Sequence, residues 1–211
     1  MRNEFFVVDG PEPLARAGIF GIVVIDHQRL HFRDRERFFH HLGKFTVSND
    51  DPGIGMQRRM AESTAEFQRA LQLNPNFAAA HGYLGWALSF DGQSDNAMAH
   101  LQEALRMSPH DPQNAIFHVG VAISHYMAGR YDDAIAACRM AFQQRAGMAR
   151  GTRVYIASLA QAGRVDEARL ALARMKETHP GLSIAWIEQN VPYTPDAMAK
   201  FLDGMRKAGL Q

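Results

Sequence analysis

One short pattern occurs three times in the chain and constrains its fold more than any other feature. Each copy begins with glycine and ends with alanine: Gly92-Gln93-Ser94-Asp95-Asn96-Ala97, Gly129-Arg130-Tyr131-Asp132-Asp133-Ala134 and Gly163-Arg164-Val165-Asp166-Glu167-Ala168. The copies recur at a spacing of about 34 to 37 residues, within the range of periods that marks a repeat architecture. Each copy is typical of a turn that opens a helix, so we predict a stack of helical hairpins.

The sizes of the side chains support this prediction independently. Alanines share one position of the repeat, and larger residues share another: Ala97, Ala134 and Ala168, then Phe67, Leu101, Cys138 and Leu172. The small residues allow two antiparallel helices to approach closely, and the larger ones fill the space between neighbouring hairpins. A single hairpin cannot bury its apolar face, whereas stacked hairpins can.

The most complete copy contains His81, Leu84-Gly85, Leu88, Ala97, Leu101, Ala104 and Pro109. Two further copies begin at His118 and at Thr152, and Phe67 belongs to a partial copy that retains only its second helix. In residue types and period this pattern resembles the tetratricopeptide repeat (TPR) family. The resemblance implies an all-α fold, an α-solenoid of antiparallel helix pairs over residues 29–180 with a degenerate first repeat and three clearer ones. Residues 181–211 are then predicted to form the C-terminal cap. Leu182 to Asn190, with Trp186, is compatible with either a short helix or a strand. A helix is predicted to begin at Pro195, with the Thr194 hydroxyl as its cap.

The first residues have no counterpart in the repeat. Apolar runs at Phe5-Phe6-Val7-Val8 and from Ile19 to Ile25 are separated by Gly10-Pro11-Glu12-Pro13, which favours either short strands or irregular structure. We therefore treat residues 1–28 as an N-terminal extension. Arg29 to Phe45 has helical spacing of its apolar residues, which is compatible with the first helix of the degenerate repeat.

Composition excludes several classes of function. The chain has 23 Lys+Arg against 22 Asp+Glu, a formal net charge of +1, and no basic cluster of the kind that nucleic-acid binding requires. No apolar run approaches the roughly 20 residues of a membrane-spanning helix. The single cysteine, Cys138, cannot form an intrachain disulfide, which favours the cytoplasm.

No group of residues predicts catalysis or metal binding. The chain has ten histidines, of which His27 and His31, and His118 and His125, are spaced to share a helix face. Zinc would need further ligands, and there is no HExxH or CxxC pattern, so we predict no metal site, no catalytic residues and no cofactor. Cys138 lies at a packing position, which indicates a buried, unreactive thiol.

The resemblance to TPR proteins implies that the first helix of each repeat lines a concave groove. The residues predicted to face it are Trp86, Phe90, Ile116, Val119, Ile123, Tyr126, Met127, Arg150 and Arg153. This surface is apolar at one end and basic at the other, and we expect it to bind a protein or peptide. Gly82, Tyr83, Trp86 and Gly120 stand where the chaperone-tail-binding subclass of this family needs lysine and asparagine, so that terminal-carboxylate ligand is not expected.

Two alternatives remain open at this point. The chain could be a structural or self-associating solenoid, either a homo-oligomer or one whose segment from Phe5 to Ile25 fills its own groove. It could also be an enzyme with an unrecognised site, although no pattern favours one.

A second resemblance involves the C-terminal residues. Val191-Pro192-Tyr193 and Gly204-Met205-Arg206-Lys207-Ala208-Gly209-Leu210 resemble the C-terminal TPR region of bacterial, rhizobial-type class III adenylate/guanylate cyclases. The paired metal-binding aspartates of the cyclase domain are absent from this sequence. The resemblance therefore implies a regulatory module without cyclase activity.

Overall fold

A computed structural model describes the backbone of residues 54–211 and the side chains from residue 60 onward. This part of the chain contains nine helices and no strand: α1 Ile54–Leu73, α2 Ala78–Phe90, α3 Ser94–Met107, α4 Asn114–Met127, α5 Tyr131–Gln144, α6 Ala149–Gln161, α7 Val165–Thr178, α8 Ile184–Asn190 and α9 Pro195–Lys207. The predicted all-α solenoid is confirmed for these residues. The extension 1–28 and the helix predicted from Arg29 lie outside the described residues.

The recurring glycine forms the turn inside each helix pair. Gly92 joins α2 to α3, Gly129 joins α4 to α5 and Gly163 joins α6 to α7, with φ angles of 74°, 78° and 80°. Residues with a Cβ atom rarely adopt this left-handed conformation, so glycine ends the first helix of each pair at little steric cost. The repeated glycine of the sequence is thus a consequence of the hairpin geometry.

The repeated alanine allows the two helices of a pair to touch. Ala97, Ala134 and Ala168 are all completely buried. A Cβ atom placed on Gly85 of α2 would lie 2.7 Å from the backbone oxygen of Ala97 and 2.7 Å from Cγ of Leu101, both on α3. The helices of this pair therefore approach through residues that have little or no side chain.

Helix α1 takes the place of the second helix of a preceding repeat. Phe67 of α1 is buried, and its ring stacks on Tyr83 of α2 at a centroid distance of 5.7 Å. Tyr83 in turn meets Phe117 of α4 edge-on at 5.5 Å. Aromatic contacts of this kind join consecutive repeats into one core.

The C-terminal residues contain two further helices. The segment around Trp186, which the sequence left between helix and strand, is the helix α8, whose first turn is capped by Ser183 through a 3.1 Å bond from the Trp186 N–H to Oγ. Helix α9 begins at Pro195 as predicted, but the Thr194 hydroxyl makes no capping hydrogen bond. The N–H of Ile184 donates to the backbone oxygen of Gln211 at 3.0 Å, which fastens the last residue to α8.

A histidine pair between α2 and α3 predicts acid sensitivity. Nδ1 of His81 and Nδ1 of His100 lie 2.8 Å apart, a hydrogen bond that requires one of the two nitrogens to be unprotonated. Burial and the neighbouring His81 lower the pKa of His100, and burial also lowers the pKa values of His118 and His125. The unfolded chain therefore binds more protons than the folded chain below about pH 6.5, and the free energy of unfolding should decrease as the pH falls through that range.

Urea unfolding at pH 7.5 and pH 5.5 measures this effect. We expect a lower urea midpoint at pH 5.5 for the natural chain and a smaller decrease for His100→Gln. The exposed His110 provides the matched control, since His110→Gln should leave the decrease unchanged. Equal midpoints at the two pH values would contradict the prediction.

Candidate functional site

The first helices of the three pairs, α2, α4 and α6, pack side by side in that order and carry the predicted surface residues. We call the surface that they share the concave surface, after the prediction. The backbone of α2 approaches α4 at Trp86, since a Cβ atom added to Gly120 would lie 3.4 Å from Cα of Trp86. Six of the nine predicted surface residues are buried: Trp86, Phe90, Val119, Ile123, Tyr126 and Arg153. Ile116 and Met127 are half-buried, and Arg150 is exposed. The chain itself covers a large part of this surface.

The covering at the α2 end comes from the residues just before α9. Tyr193, 3% exposed, packs its ring 5.1 Å from Phe90 and 5.0 Å from Phe201 of α9. The N–H of Thr194 donates to the backbone oxygen of Phe90, the last residue of α2, at 3.4 Å. This segment therefore lies against the carboxyl-terminal end of α2, although more than a hundred residues separate them.

Helix α9 continues across the end of α4. The hydroxyl of Tyr126 donates to the backbone oxygen of Lys200 at 2.8 Å, and Nζ of Lys200 donates to the backbone oxygen of Met127 at 2.7 Å. The Tyr126 ring meets Phe201 edge-on at 5.9 Å. Burial raises the pKa of the Tyr126 hydroxyl, which therefore stays a hydrogen-bond donor at neutral pH.

The same helix ends against α6. Nε2 of Gln161 donates to Asp203 at 2.8 Å, and Nζ of Lys207 donates to Oε1 of Gln161 at 2.8 Å. Gly204 faces Ala157, where an added Cβ atom would lie 3.1 Å from the alanine Cβ. We call residues 191–207 the tail segment; it closes the carboxyl-terminal ends of α2, α4 and α6.

The part of this surface beside Phe90 and Tyr193 has a different chemistry. Cζ of Arg150 lies 5.3 Å from the ring centroid of Trp86, and Cζ of Arg153 lies 5.2 Å from that of Trp186 in α8. Arg153 is only 8% exposed, and burial together with the neighbouring Arg150 lowers its pKa to about 10, so it remains a cation at neutral pH. We call Trp86, Arg150, Arg153 and Trp186 the arginine–tryptophan cluster.

The remaining predicted residues have packing or marginal positions. Val119 contacts the start of α6, since a Cβ atom on Gly151 would lie 3.1 Å from its Cγ2, and Ile123 is 2% exposed. Ile116 is half-buried and lines an open cavity of about 510 Å³ between the α3–α4 loop and the end of α5, with Gln113 and Arg145 among its other walls. The binding of a partner by these residues stays a prediction.

Nucleophilic and metal-ligating groups of the described residues do not assemble into a reactive site. Cys138 is completely buried, and burial raises the pKa of its thiol to about 12, which keeps it protonated at neutral pH. His118 of α4 is also buried, at 7% exposure. Within residues 60–211 no three His, Cys, Asp or Glu side chains are placed to hold a metal ion, and none of the described helices is long and apolar enough to cross a bilayer.

Sequence reasoning missed the contribution of the C-terminal residues to this surface. Tyr193, Phe201 and Trp186 complete it, yet none was among the predicted site residues. The available signal was the apolar stripe of α9, which indicates a helix buried on one side. The stripe alone does not say which surface of the solenoid the helix covers.

Comparison with known protein families agrees with this geometry. Two family models described as tetratricopeptide repeat match residues 89–149 and residues 66–99. A search of curated proteins finds no match to the chain. Residues 66–149 are thus similar to tetratricopeptide repeats, and the α6–α7 pair that follows them continues the same helix pairing.

Proposed function

We propose that this chain is a non-catalytic interaction module that holds a segment of a partner protein at the arginine end of its concave surface. Tetratricopeptide repeats are protein-interaction modules, and two matches to them cover residues 66–149. The observation that carries the proposal is the unequal covering of the surface. The tail segment contacts Phe90, Tyr126 and Met127, whereas Arg150 is exposed and Ile116 is half-buried. Trp86 and Arg153, which lie beside Arg150 in the cluster, are buried at 5% and 8% exposure.

The proposal divides the nine predicted residues by role. Trp86, Ile116, Arg150 and Arg153 contact the partner. Phe90, Tyr126 and Met127 hold the tail segment, and Val119 and Ile123 pack the first helices together. This division changes the choice of test, because substitution of Tyr126 would break the hydrogen bond to Lys200 and disturb the fold itself.

Reversal of charge at Arg150 should remove partner capture. Arg150 is exposed in the first turn of α6, so Arg150→Glu replaces an attractive group by a repulsive one without opening a cavity. We expect at least a tenfold loss of captured partner in quantitative affinity capture from the source cell. The change is equivalent to about 1.4 kcal/mol or more of binding free energy.

Arg174 provides the matched control for this experiment. It is exposed on α7, away from the concave surface, and Arg174→Glu makes the same change of charge. Equal capture by the natural chain and Arg150→Glu would contradict the proposal, as would equal loss in both variants. Circular dichroism of each variant checks that the helices are intact.

The resemblance to class III cyclases leads to a narrower proposal about the partner. The tail segment contains part of the residues of that resemblance, from Val191 to Lys207, and it packs against all three repeats of the concave surface. We propose that the module regulates a nucleotide cyclase and has no cyclase activity itself. Purified chain should produce no cyclic nucleotide from ATP or GTP, and its addition to a class III cyclase domain should change the rate of that domain.

Self-association is the alternative for the same surface, through a second copy or through residues 1–28. Sedimentation of the full chain and of a chain lacking residues 1–28 distinguishes these from binding to another protein. A monomer in both cases, with capture unchanged, supports the partner proposal. We further propose a cytoplasmic location, which the buried, unpaired thiol of Cys138 favours, and a protein partner in preference to nucleic acid or membrane.

A further inference from the structure

The arginine–tryptophan cluster joins side chains from three helices that are distant in sequence. Arg150 and Arg153 lie one turn apart on α6, Trp86 comes from α2 and Trp186 from α8. Each guanidinium lies over an indole ring, at 5.3 Å for Arg150 and 5.2 Å for Arg153. The arrangement places two positive charges side by side, with the Arg150 side chain exposed and the Arg153 side chain buried.

The charge of Arg153 is more than nine-tenths buried, and burial of a charge without a partner is costly. Among the described residues, Arg153 has no carboxylate within ion-pair distance and donates no hydrogen bond. The same holds for Arg150. Contact with an indole face offsets part of the cost by a cation–π interaction of about 0.5–2 kcal/mol. Each guanidinium carries five N–H donors, and none of those of Arg150 and Arg153 donates to another described residue, so they are available to a ligand.

We propose that the arginine–tryptophan cluster binds the side-chain carboxylates of an acidic internal segment of the partner protein. This inference rests on the proposed function and specifies the chemistry of the partner. The planar N–H edge of a guanidinium matches the two oxygens of a carboxylate, and two arginines one turn apart can receive two acidic side chains. Trp186 is the cluster tryptophan that is accessible, at 37% exposure, and it forms an apolar wall for the methylene groups of those side chains.

Charge distribution favours an acidic protein segment over nucleic acid. The chain as a whole has a net charge of +1, and the cluster contributes two cations where phosphate backbones are bound by an extended row of them. An internal segment is favoured over a free carboxyl terminus, because Gly82 and Gly120 offer no donor at the neighbouring positions of the surface. Oligonucleotides and free chain ends therefore serve as comparison ligands in the test.

The natural tryptophans supply a direct readout of this site. The chain contains two tryptophans, and both belong to the cluster, so the intrinsic tryptophan fluorescence of the full chain reports on this site alone. The probe is a hexaglutamate peptide with acetylated and amidated ends. We expect a saturable change of fluorescence with hexaglutamate and none with hexaglutamine blocked in the same way. Raised salt should weaken the binding.

Arginine-to-lysine variants separate bidentate recognition from simple charge attraction. Arg153→Lys and Arg150→Lys keep the charge but lose the planar pair of donors, so each should weaken hexaglutamate binding about tenfold or more. Arg174→Lys is the matched control and should bind as the natural chain does. Arg150 is exposed, so its variant keeps the test valid even if Arg153→Lys fails to fold.

Three results would overturn the inference: no response to hexaglutamate, an equal response to hexathymidylate, or lysine variants that bind as tightly as the natural chain. If hexaglutamate fails while capture still depends on Arg150, the partner chemistry is wrong and the proposed function stands. If hexaglutamate binds while capture is independent of Arg150, the acid-binding site stands and the proposed function fails.

Discussion

Phe201→Ala should lower the free energy of unfolding by about 3–5 kcal/mol, the usual cost of removing a fully buried aromatic ring. Phe201 is 1% exposed and lies between Tyr126 of α4 and Tyr193 of the tail segment, at centroid distances of 5.9 and 5.0 Å. Its loss leaves a cavity where the tail segment meets the concave surface. Urea unfolding followed by circular dichroism measures the change.

The control for this variant is the substitution of a large apolar residue that lies outside the core. Leu170 on α7 is 55% exposed, so Leu170→Ala should change stability by no more than about 0.5 kcal/mol. A loss below about 1 kcal/mol for Phe201→Ala would show that the tail segment contributes little to stability. The packing described for α9 would then be wrong.

Gly85→Ala is the second variant with a large expected effect, a loss of about 1–3 kcal/mol typical of overpacking. Alanine favours a helix over glycine by about 1 kcal/mol, so the intrinsic preference of α2 acts in the opposite direction. The added Cβ atom would lie 2.7 Å from the backbone oxygen of Ala97 and 2.9 Å from the backbone nitrogen of Leu101. Backbone atoms cannot rotate away, so α2 and α3 would have to separate.

Gly120→Ala tests whether the loss of stability is larger when the added methyl group meets backbone atoms than when it meets side-chain atoms. A Cβ atom there would meet the two terminal methyl carbons of Leu101 at 3.1 and 3.2 Å, and these belong to a side chain that can adjust. We expect a smaller loss of stability than for Gly85→Ala in the same urea experiment. Equal losses, or a more stable Gly85→Ala chain, would contradict this account of helix contact.

The features that repeat along the sequence predicted the parts of the fold that repeat in space. The glycine at Gly92 and its two equivalents is required by a left-handed turn, and the alanine at Ala97 by a close helix contact. Both requirements are local, and each occurs once per helix pair, so the sequence shows them three times over. Helix order, pairing and the core positions follow from them.

The placement of the tail segment could not be predicted in this way. The apolar stripe of α9, with Phe201 and Met205 buried, fits either the outer face of α7 or the concave surface. The placement of α9 depends on individual contacts that do not repeat from one helix pair to the next, such as that of Tyr193 with Phe90. The contact of Arg153 with Trp186 likewise joins distant residues and occurs only once. No periodic pattern in the sequence can therefore indicate it.

The route of the tail segment also changes how the repeats share their stability. In an ordinary repeat array each unit touches only its neighbours, so the ends can unravel while the middle stays folded. Here Tyr193 is packed on the first complete pair through Phe90, and Asp203 is bonded to the third through Gln161. The tail segment thus connects helix pairs that are not neighbours in the array. We therefore expect the described repeats to unfold together in one cooperative transition, without separate unfolding of the terminal units.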